Sequence, residues 1–231
     1  MNTYAMRLTA ITATVVCLFA SACGESSSPR AQPPAPKPPA IGKIGQAAKS
    51  YTGSGPKVAI LGDSLTALEW NDLYDSLDRD HAVEIGAWYG EGYNAGKFSE
   101  GLGAALLPAT AKRFATSHPA VVVLAIGTND ALYRRSTPQA LAAMQTMVAE
   151  FRGACMVGVT VPEHSGAKGW SNAEAHTLNV AMRKWADQVV DWASMSTGAG
   201  ILQADGIHTT AKGTKLRANA IVAAVERCPA R

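Results

Sequence analysis

The stretch VAILGDSLTA, Val58 to Ala67, places a serine where an apolar run stops. The strand reading KVAIL, Lys57 to Leu61, leads to Gly62, which permits a tight turn, and Ser64 stands where a helix would open. Ser64 is therefore either the polar N-cap of that helix or a side chain presented for chemistry. What lies at the ends of the other apolar runs decides between the two.

Four more runs follow: HAVEIGA (His81 to Ala87), AVVVLAI (Ala120 to Ile126), CMVGVTV (Cys155 to Val161) and QVVDWA (Gln188 to Ala193). Their apolarity is mostly continuous instead of alternating, the mark of strands covered on both faces. Helix signals separate them. Thr137-Pro138 reads as an N-cap and first helical residue ahead of Leu141, Met144, Val148 and Phe151 on one face. SNAE (Ser171 to Glu174) is a capping box before Leu178, Met182 and Trp185, and AKGTKLRANAIVAAVERC forms the C-terminal helix. The alternation predicts one α/β domain from Pro56 onward, three layers around a five-stranded parallel sheet. In such a sheet, ligands gather at the carboxyl ends of the strands.

Those ends carry distinctive residues. The first has Gly62-Asp63-Ser64-Leu65, the second the glycine-rich AWYGEGYNAG (Ala87 to Gly96), the third GTND (Gly127 to Asp130), and DGIH (Asp205 to His208) follows the last strand. A serine, an imidazole and a carboxylate are the parts of acyl transfer: the imidazole takes the serine proton, and the carboxylate holds its tautomer. Asp205 and His208 are spaced so that the carboxylate can reach Nδ1 while Nε2 faces Ser64. Backbone N–H groups at Ser64 and near Gly90, with the Asn129 amide, are candidate donors to an oxyanion. Asp63 and Asp130 read as turn and cap carboxylates. Trp88, Tyr89 and Tyr93 flank the glycine loop and read either as substrate-stacking aromatics or as core packing. Trp170, in the loop after the fourth strand, has the same two readings.

GDSL, a downstream glycine loop, GTND and DGIH, in that order, resemble the SGNH (GDSL) hydrolase superfamily, and the resemblance spans nearly all of the chain from Lys57. It implies a flavodoxin-like sheet, serine-ester hydrolysis without a cofactor, Ser64 as nucleophile, His208 as base, Asp205 as its orienting acid, and Gly90 and Asn129 completing the oxyanion hole. Gly92 is the alternative to Gly90, which is preferred because Gly90-Glu91-Gly92 better resembles the family's turn. The absence of GxSxG argues against the α/β-hydrolase family, and without HExxH or CxxC no metal site is expected.

The rest of the sequence bears on location and partners. Arg7 precedes a 13-residue apolar run, Leu8 to Ala20, too short for a membrane-spanning helix and typical of an export signal. ASAC (Ala20 to Cys23) resembles a lipobox, in which Cys23 is lipidated, and Ala20-Ser21-Ala22 also satisfies ordinary signal peptidase. The expected organisation is a signal at 1–22, a proline- and serine-rich tether at 23–55 and the hydrolase domain at 56–231. In an oxidising compartment Cys155 and Cys228 read as a disulfide, with two separate buried thiols as the alternative. A formal charge of +3 with 17% charged residues gives no footprint for nucleic acid. The expected partners are an ester substrate, an acylated glycan or a lipid-like small molecule, and a membrane if Cys23 is lipidated. A monomer is expected. An acetyl-type ester is the leading substrate expectation, with a lipase, lysophospholipase or thioesterase and a non-catalytic binding module as rivals.

Overall fold

The computed structural model of the chain describes residues 55–87, 92–93, 106–133 and 137–229. Five strands form one parallel sheet: β1 (Lys57–Gly62), β2 (Ala82–Ala87), β3 (Val121–Ala125), β4 (Cys155–Val159) and β5 (Gln188–Val190). Their order across the sheet is β2-β1-β3-β4-β5. This is the flavodoxin-like winding, whose direction reverses between β1 and β3 and opens a crevice there. The α/β class, the five parallel strands and the three layers agree with the expectation from sequence.

Continuous apolarity has the consequence expected of it. On one face Val58, Ile60, Val83, Ile85, Val121, Val123 and Val157 meet helices α2 (Trp70–Leu77) and α8 (Ala211–Glu226) through Leu73, Leu77, Ile221 and Val225. On the other, Ala59, Leu61, Val122, Leu124 and Met156 meet α3 (Leu106–Ala115), α5 (Thr137–Glu150) and α6 (Asn172–Trp185) through Phe114, Met144, Met147, Leu178 and Met182. Successive strand residues point to opposite faces, so a run buried on both sides needs apolar side chains at every position. Half of the capping box at the start of α6 forms, with the Glu174 N–H donating to Ser171 Oγ at 3.3 Å, while the Ser171 N–H donates to the Ala131 carbonyl at 2.9 Å instead of to the Glu174 side chain.

Strands β2, β3 and β4 are one or two residues shorter than their apolar runs, and β5 covers only half of its run. β5 stops at Val190, although QVVDWA suggested a strand to Ala193, and the chain turns into α7 (Trp192–Met195). The Thr160 hydroxyl accepts from the Ala193 N–H at 2.9 Å and pulls the chain out of the sheet direction. Trp192 is then buried in the core from a helix instead of from a strand. Apolar periodicity over six residues does not distinguish these two ways of burying a ring.

Register places the functional end. Gly62 is level with Ala87 of β2 and with Ala125 of β3. These three positions therefore lie side by side at the carboxyl edge. At the opposite edge, Cys155, the first residue of β4, is bonded to Cys228 beyond α8, with Cα atoms 5.9 Å apart. The bridge closes a span of 73 residues and ties the C-terminal helix to the sheet. Reduction is expected to remove about 2–4 kcal/mol of stability, a loss of roughly 5–15 °C in Tm for a domain of this size. Thermal unfolding of the Cys228→Ser variant beside oxidised wild type checks this, and equal melting temperatures would rule out a stabilising bridge.

Candidate active site

Ser64 is not the cap of its helix. α1 (Ser64–Leu68) is capped by Asp63, whose Oδ1 accepts from the Leu65 N–H at 3.0 Å, and Ser64 is the first helical residue. The first N–H groups of a helix lack intrahelical partners, so this position leaves the Ser64 amide at the positive end of the helix. Gly62 makes the turn possible, because a Cβ there would come within 2.2 Å of Thr66 Oγ1. The helix must fold back that closely on the strand to present Ser64 at the edge.

Ser64 Oγ lies 3.2 Å from His208 Nε2, and His208 Nδ1 lies 2.7 Å from Asp205 Oδ2. The three side chains come from opposite ends of the domain sequence, 144 residues apart between Ser64 and His208. The Asp205–His208 turn has its own logic. Asp205 Oδ1 accepts from the N–H groups of Ile207 and His208, both at 2.9 Å, while Oδ2 is left for the imidazole. Gly206 between them has φ +70°, the left-handed region that glycine enters without a Cβ penalty. The base of the turn is closed by an isolated antiparallel bridge between Leu202 and Thr209 and by the Gln203 N–H donating to the His208 carbonyl at 2.7 Å. Partial burial acts to raise the Asp205 pKa, but the His208 ring and the two backbone donors outweigh it and hold the carboxyl below its ordinary value. Asp205 thus stays ionised beside the imidazole at neutral pH.

Asn129 sits at the second position of α4 (Thr128–Tyr133), buried, directly beyond the carboxyl end of β3. Gly127, at φ +124°, makes the turn into that helix. Gly90, Trp88 and Tyr89 lie outside the described residues, as does Cys23. Tyr93 is described, and its ring packs in the core with the α5 and α6 side chains instead of facing a substrate, 4% exposed. The stacking role considered for it gives way to packing for a physical reason: the Asp130 carboxylate accepts from the Tyr93 N–H at 2.8 Å and draws that stretch inward. Asp130 is thus more than a turn carboxylate. It ties Tyr93 to the helix that bears Asn129.

Trp170 also proves to be a packing residue, in a small cluster with Ala131, Val161, Ala175 and Ile207. This cluster joins α4 to the Asp205–His208 turn from behind, and Ser165 Oγ adds a bond to the Gly206 carbonyl at 2.9 Å. Neither support was legible in the sequence, since Ser165 and Trp170 carry no motif. A tryptophan and a serine near a strand end were the available signal, and they do not specify a partner.

Beneath Ser64 lies a buried charge group. Glu69, the C-cap of α1, receives a hydrogen bond from Arg217 of α8, and both side chains are fully enclosed. Burial pushes the Glu69 carboxyl from an ordinary 4.5 up to about 8, against the pull of Arg217 and with help from the Asp63 charge. Asp63 is likewise raised, by burial first, with Arg217 and Thr128 pulling the other way. For both carboxyls burial is the larger effect, and the attraction of the one guanidinium offsets it only in part. Among the described residues, no three His, Cys, Asp or Glu side chains converge as a metal ion would require.

The family model described as GDSL-like lipase/acylhydrolase matches residues 60–216, well over half of the chain and the whole span from Ser64 to His208. The chain belongs to that family. It is an SGNH-type serine ester hydrolase. No curated protein matches the hydrolase in sequence. Among solved structures, the lipase/acylhydrolase from Enterococcus faecalis matches with a TM-score of 0.58 at 18% identity, covering 76% of this chain and 100% of that one. The C-terminal catalytic domain of peptidoglycan O-acetyltransferase A from Streptococcus pneumoniae matches with a TM-score of 0.54 at 19% identity over 76% of this chain and 96% of that one. A carbohydrate esterase family 3 protein from Talaromyces cellulolyticus matches with a TM-score of 0.52 at 17% identity over 74% and 97%. At these identities the likeness is one of fold.

Two predictions test the supports of the site. The Tyr93 hydroxyl is buried without a hydrogen-bond partner among the described residues. Tyr93→Phe is therefore expected to leave Tm unchanged or raised, whereas Tyr93→Ala is expected to cost about 3–5 kcal/mol in denaturant unfolding, as for a core aromatic. The second concerns pH. A carboxyl whose folded pKa exceeds its unfolded one binds its proton more tightly in the native state, so its stabilising effect is complete below the unfolded value. For Glu69 that effect is lost as pH rises from 4.5 to about 8. The difference in Tm between wild type and Glu69→Gln should shift across this window, and a pH-independent difference would contradict the assignment.

Proposed function

We propose that this protein is an exported esterase that works through an acyl-enzyme, with Ser64 as nucleophile, His208 as general base and acid, and Asp205 as the carboxylate that orients the imidazole. The observation that carries this reading is the hydrogen-bonded line from Asp205 Oδ2 through His208 to Ser64 Oγ. His208 Nε2 takes the Ser64 proton as Oγ attacks the ester carbonyl, and the imidazolium that forms is balanced by Asp205. The negative oxygen of the tetrahedral adduct is met by the Ser64 N–H, the Asn129 side-chain amide and a loop N–H near Gly90. His208 then returns the proton to the departing alkoxide, releasing the alcohol and leaving an ester on Ser64. A water, deprotonated by His208, attacks that ester, and collapse of the second adduct frees the acid and restores the serine.

The substrate class we propose is a short-acyl, acetyl-type ester on a glycan or small molecule. The Asp205 and His208 side chains lie near the surface, 45% and 35% exposed, which suits an ester displayed on a bulky carrier better than one drawn in by a long chain. Fold neighbours named for peptidoglycan O-acetyl transfer, acetyl ester and carbohydrate ester chemistry support the same reading. Export, with lipidation at Cys23 as the preferred form, rests on the sequence from Arg7 to Cys23. Among the described residues, no helix is long and apolar enough to cross a membrane.

The test is a p-nitrophenyl ester series from C2 to C12 on the purified domain, run with Ser64→Ala, His208→Ala and Asp205→Asn. Activity is expected to peak at the short end. Each of the first two substitutions is expected to lower kcat by at least about 10³, and Asp205→Asn by about 10² or more. Rates rising with acyl length would move the assignment to a lipase or thioesterase. A folded domain that turns over no ester but binds a glycan saturably would make it a binding module, and turnover surviving Ser64→Ala would remove the serine from the mechanism.

A further inference from the structure

Two side chains that the ester chemistry does not touch stand buried between the two arms that carry it. Glu69 closes the C-terminal end of α1, the helix whose first residue is Ser64. Arg217 lies in the second turn of α8, which is capped by Thr210, two residues after His208. Arg217 Nη1 donates to Glu69 Oε1 across 148 positions of sequence, and the side chains are 2% and 1% exposed. The guanidinium also lies over the ring of Trp192, 5.9 Å from its centroid.

A pair so enclosed is an expensive way to obtain stability, because the desolvation of both charges is commonly not recovered, and apolar residues of similar volume do as well or better. What such a pair adds is direction. A planar guanidinium hydrogen-bonded to a carboxylate fixes the relative placement of two elements. The apolar contacts of α2 with α8 through Leu73, Leu77, Ile221 and Val225 are non-directional and tolerate sliding. The catalytic geometry does not: Ser64 Oγ and His208 Nε2 are held at 3.2 Å, near the long end for such a bond.

We propose that Glu69 and Arg217 are positioning residues for the hydrolytic site, a buried tie that sets the spacing between the Ser64 helix and the His208 turn. The inference rests on the reading of Ser64 and His208 given under the proposed function. Arg217 acts on both ends of the serine helix. Glu69 is its C-cap and is bonded to the guanidinium, while Asp63 is its N-cap and is attracted by the same charge. The cation thus ties the C-terminal end of a five-residue helix to α8. The polar group enclosed there includes Asp63 Oδ2, Glu69 Oε2 and Arg217 Nε, each buried with no hydrogen-bond partner among the described residues. The group has two carboxyls for one cation, and burial pushes the Glu69 carboxyl up to about 8, so at neutral pH Glu69 is held to Arg217 by its hydrogen bond and not by a full charge.

That hydrogen bond supplies the test. Glu69→Gln keeps an oxygen that accepts from Arg217 and leaves one carboxylate per guanidinium, whereas Glu69→Ala removes the tie. Glu69→Ala is expected to lower kcat by about 10- to 100-fold with KM changed less than about threefold, since misplacement of reacting groups acts on the chemical step. Inactivation of Ser64 by an alkyl phosphonate ester should slow in parallel, and Glu69→Gln should recover most of both rates. Crystal structures of the two variants provide a readout independent of turnover. The Ser64 Oγ to His208 Nε2 distance is expected to exceed about 3.5 Å in Glu69→Ala and to remain a hydrogen bond in Glu69→Gln. If Glu69→Ala folds and keeps both the hydrogen bond and the wild-type kcat, or if the two variants lose activity equally, the assignment falls. A wild type that hydrolyses no ester, with the distance still lengthened in Glu69→Ala, would overturn the proposed function and leave the tie standing.

Discussion

β1 is hydrogen-bonded to β2 on one side and to β3 on the other, and its last residue is level with Ala87 and Ala125 of those neighbours. The rest of the site depends on that register. A slip of one residue would turn Val58 and Ile60 from the α2/α8 face to the opposite one, so the core on both sides opposes it. Because the register holds, Ser64, Ala87 and Asn129 lie along one edge of the sheet, at the point where the winding reverses. The fold thus produces a site before any catalytic side chain is specified.

Burial at that edge is unusual in its chemistry. Asp63, Glu69, Asp130 and Arg217 are all enclosed, a group of charges that apolar surroundings disfavour. Each has a local compensation: a helix N–H for Asp63, the Tyr93 N–H for Asp130, and one another for Glu69 and Arg217. The common result is that short loops and a five-residue helix, which have little packing of their own, are held by directional bonds. Asp205 and His208 stand apart from this group. They lie near the surface, and their order comes from a compact turn backed by Trp170 and Ser165.

Much of this was legible from residue order alone. The five strands, the burial of both faces and the cap of α6 follow from local pattern, because strand and helix periodicities and capping chemistry are short-range effects. The Asp205-x-x-His208 spacing is legible for the same reason: one carboxylate can bond two nearby backbone N–H groups and an imidazole within a single turn. The end of β5 was not legible, since the threonine that turns the chain at Ala193 belongs to the segment after β4. Nor was the identity of the α1 cap. Asp63 and Ser64 are both good caps, and the choice between them depends on how closely α1 folds back on Gly62.

By itself the sequence determined the layer architecture, the residues offered at each strand end and the pairing chemistry within single turns, all of which act over a few residues. Tertiary structure alone decided that Ser64 and His208 meet, that Tyr93 turns into the core, and that Arg217 reaches Glu69. The physical reason is distance along the chain. Contacts across 144 and 148 residues are set by sheet register and helix packing, which no local pattern encodes.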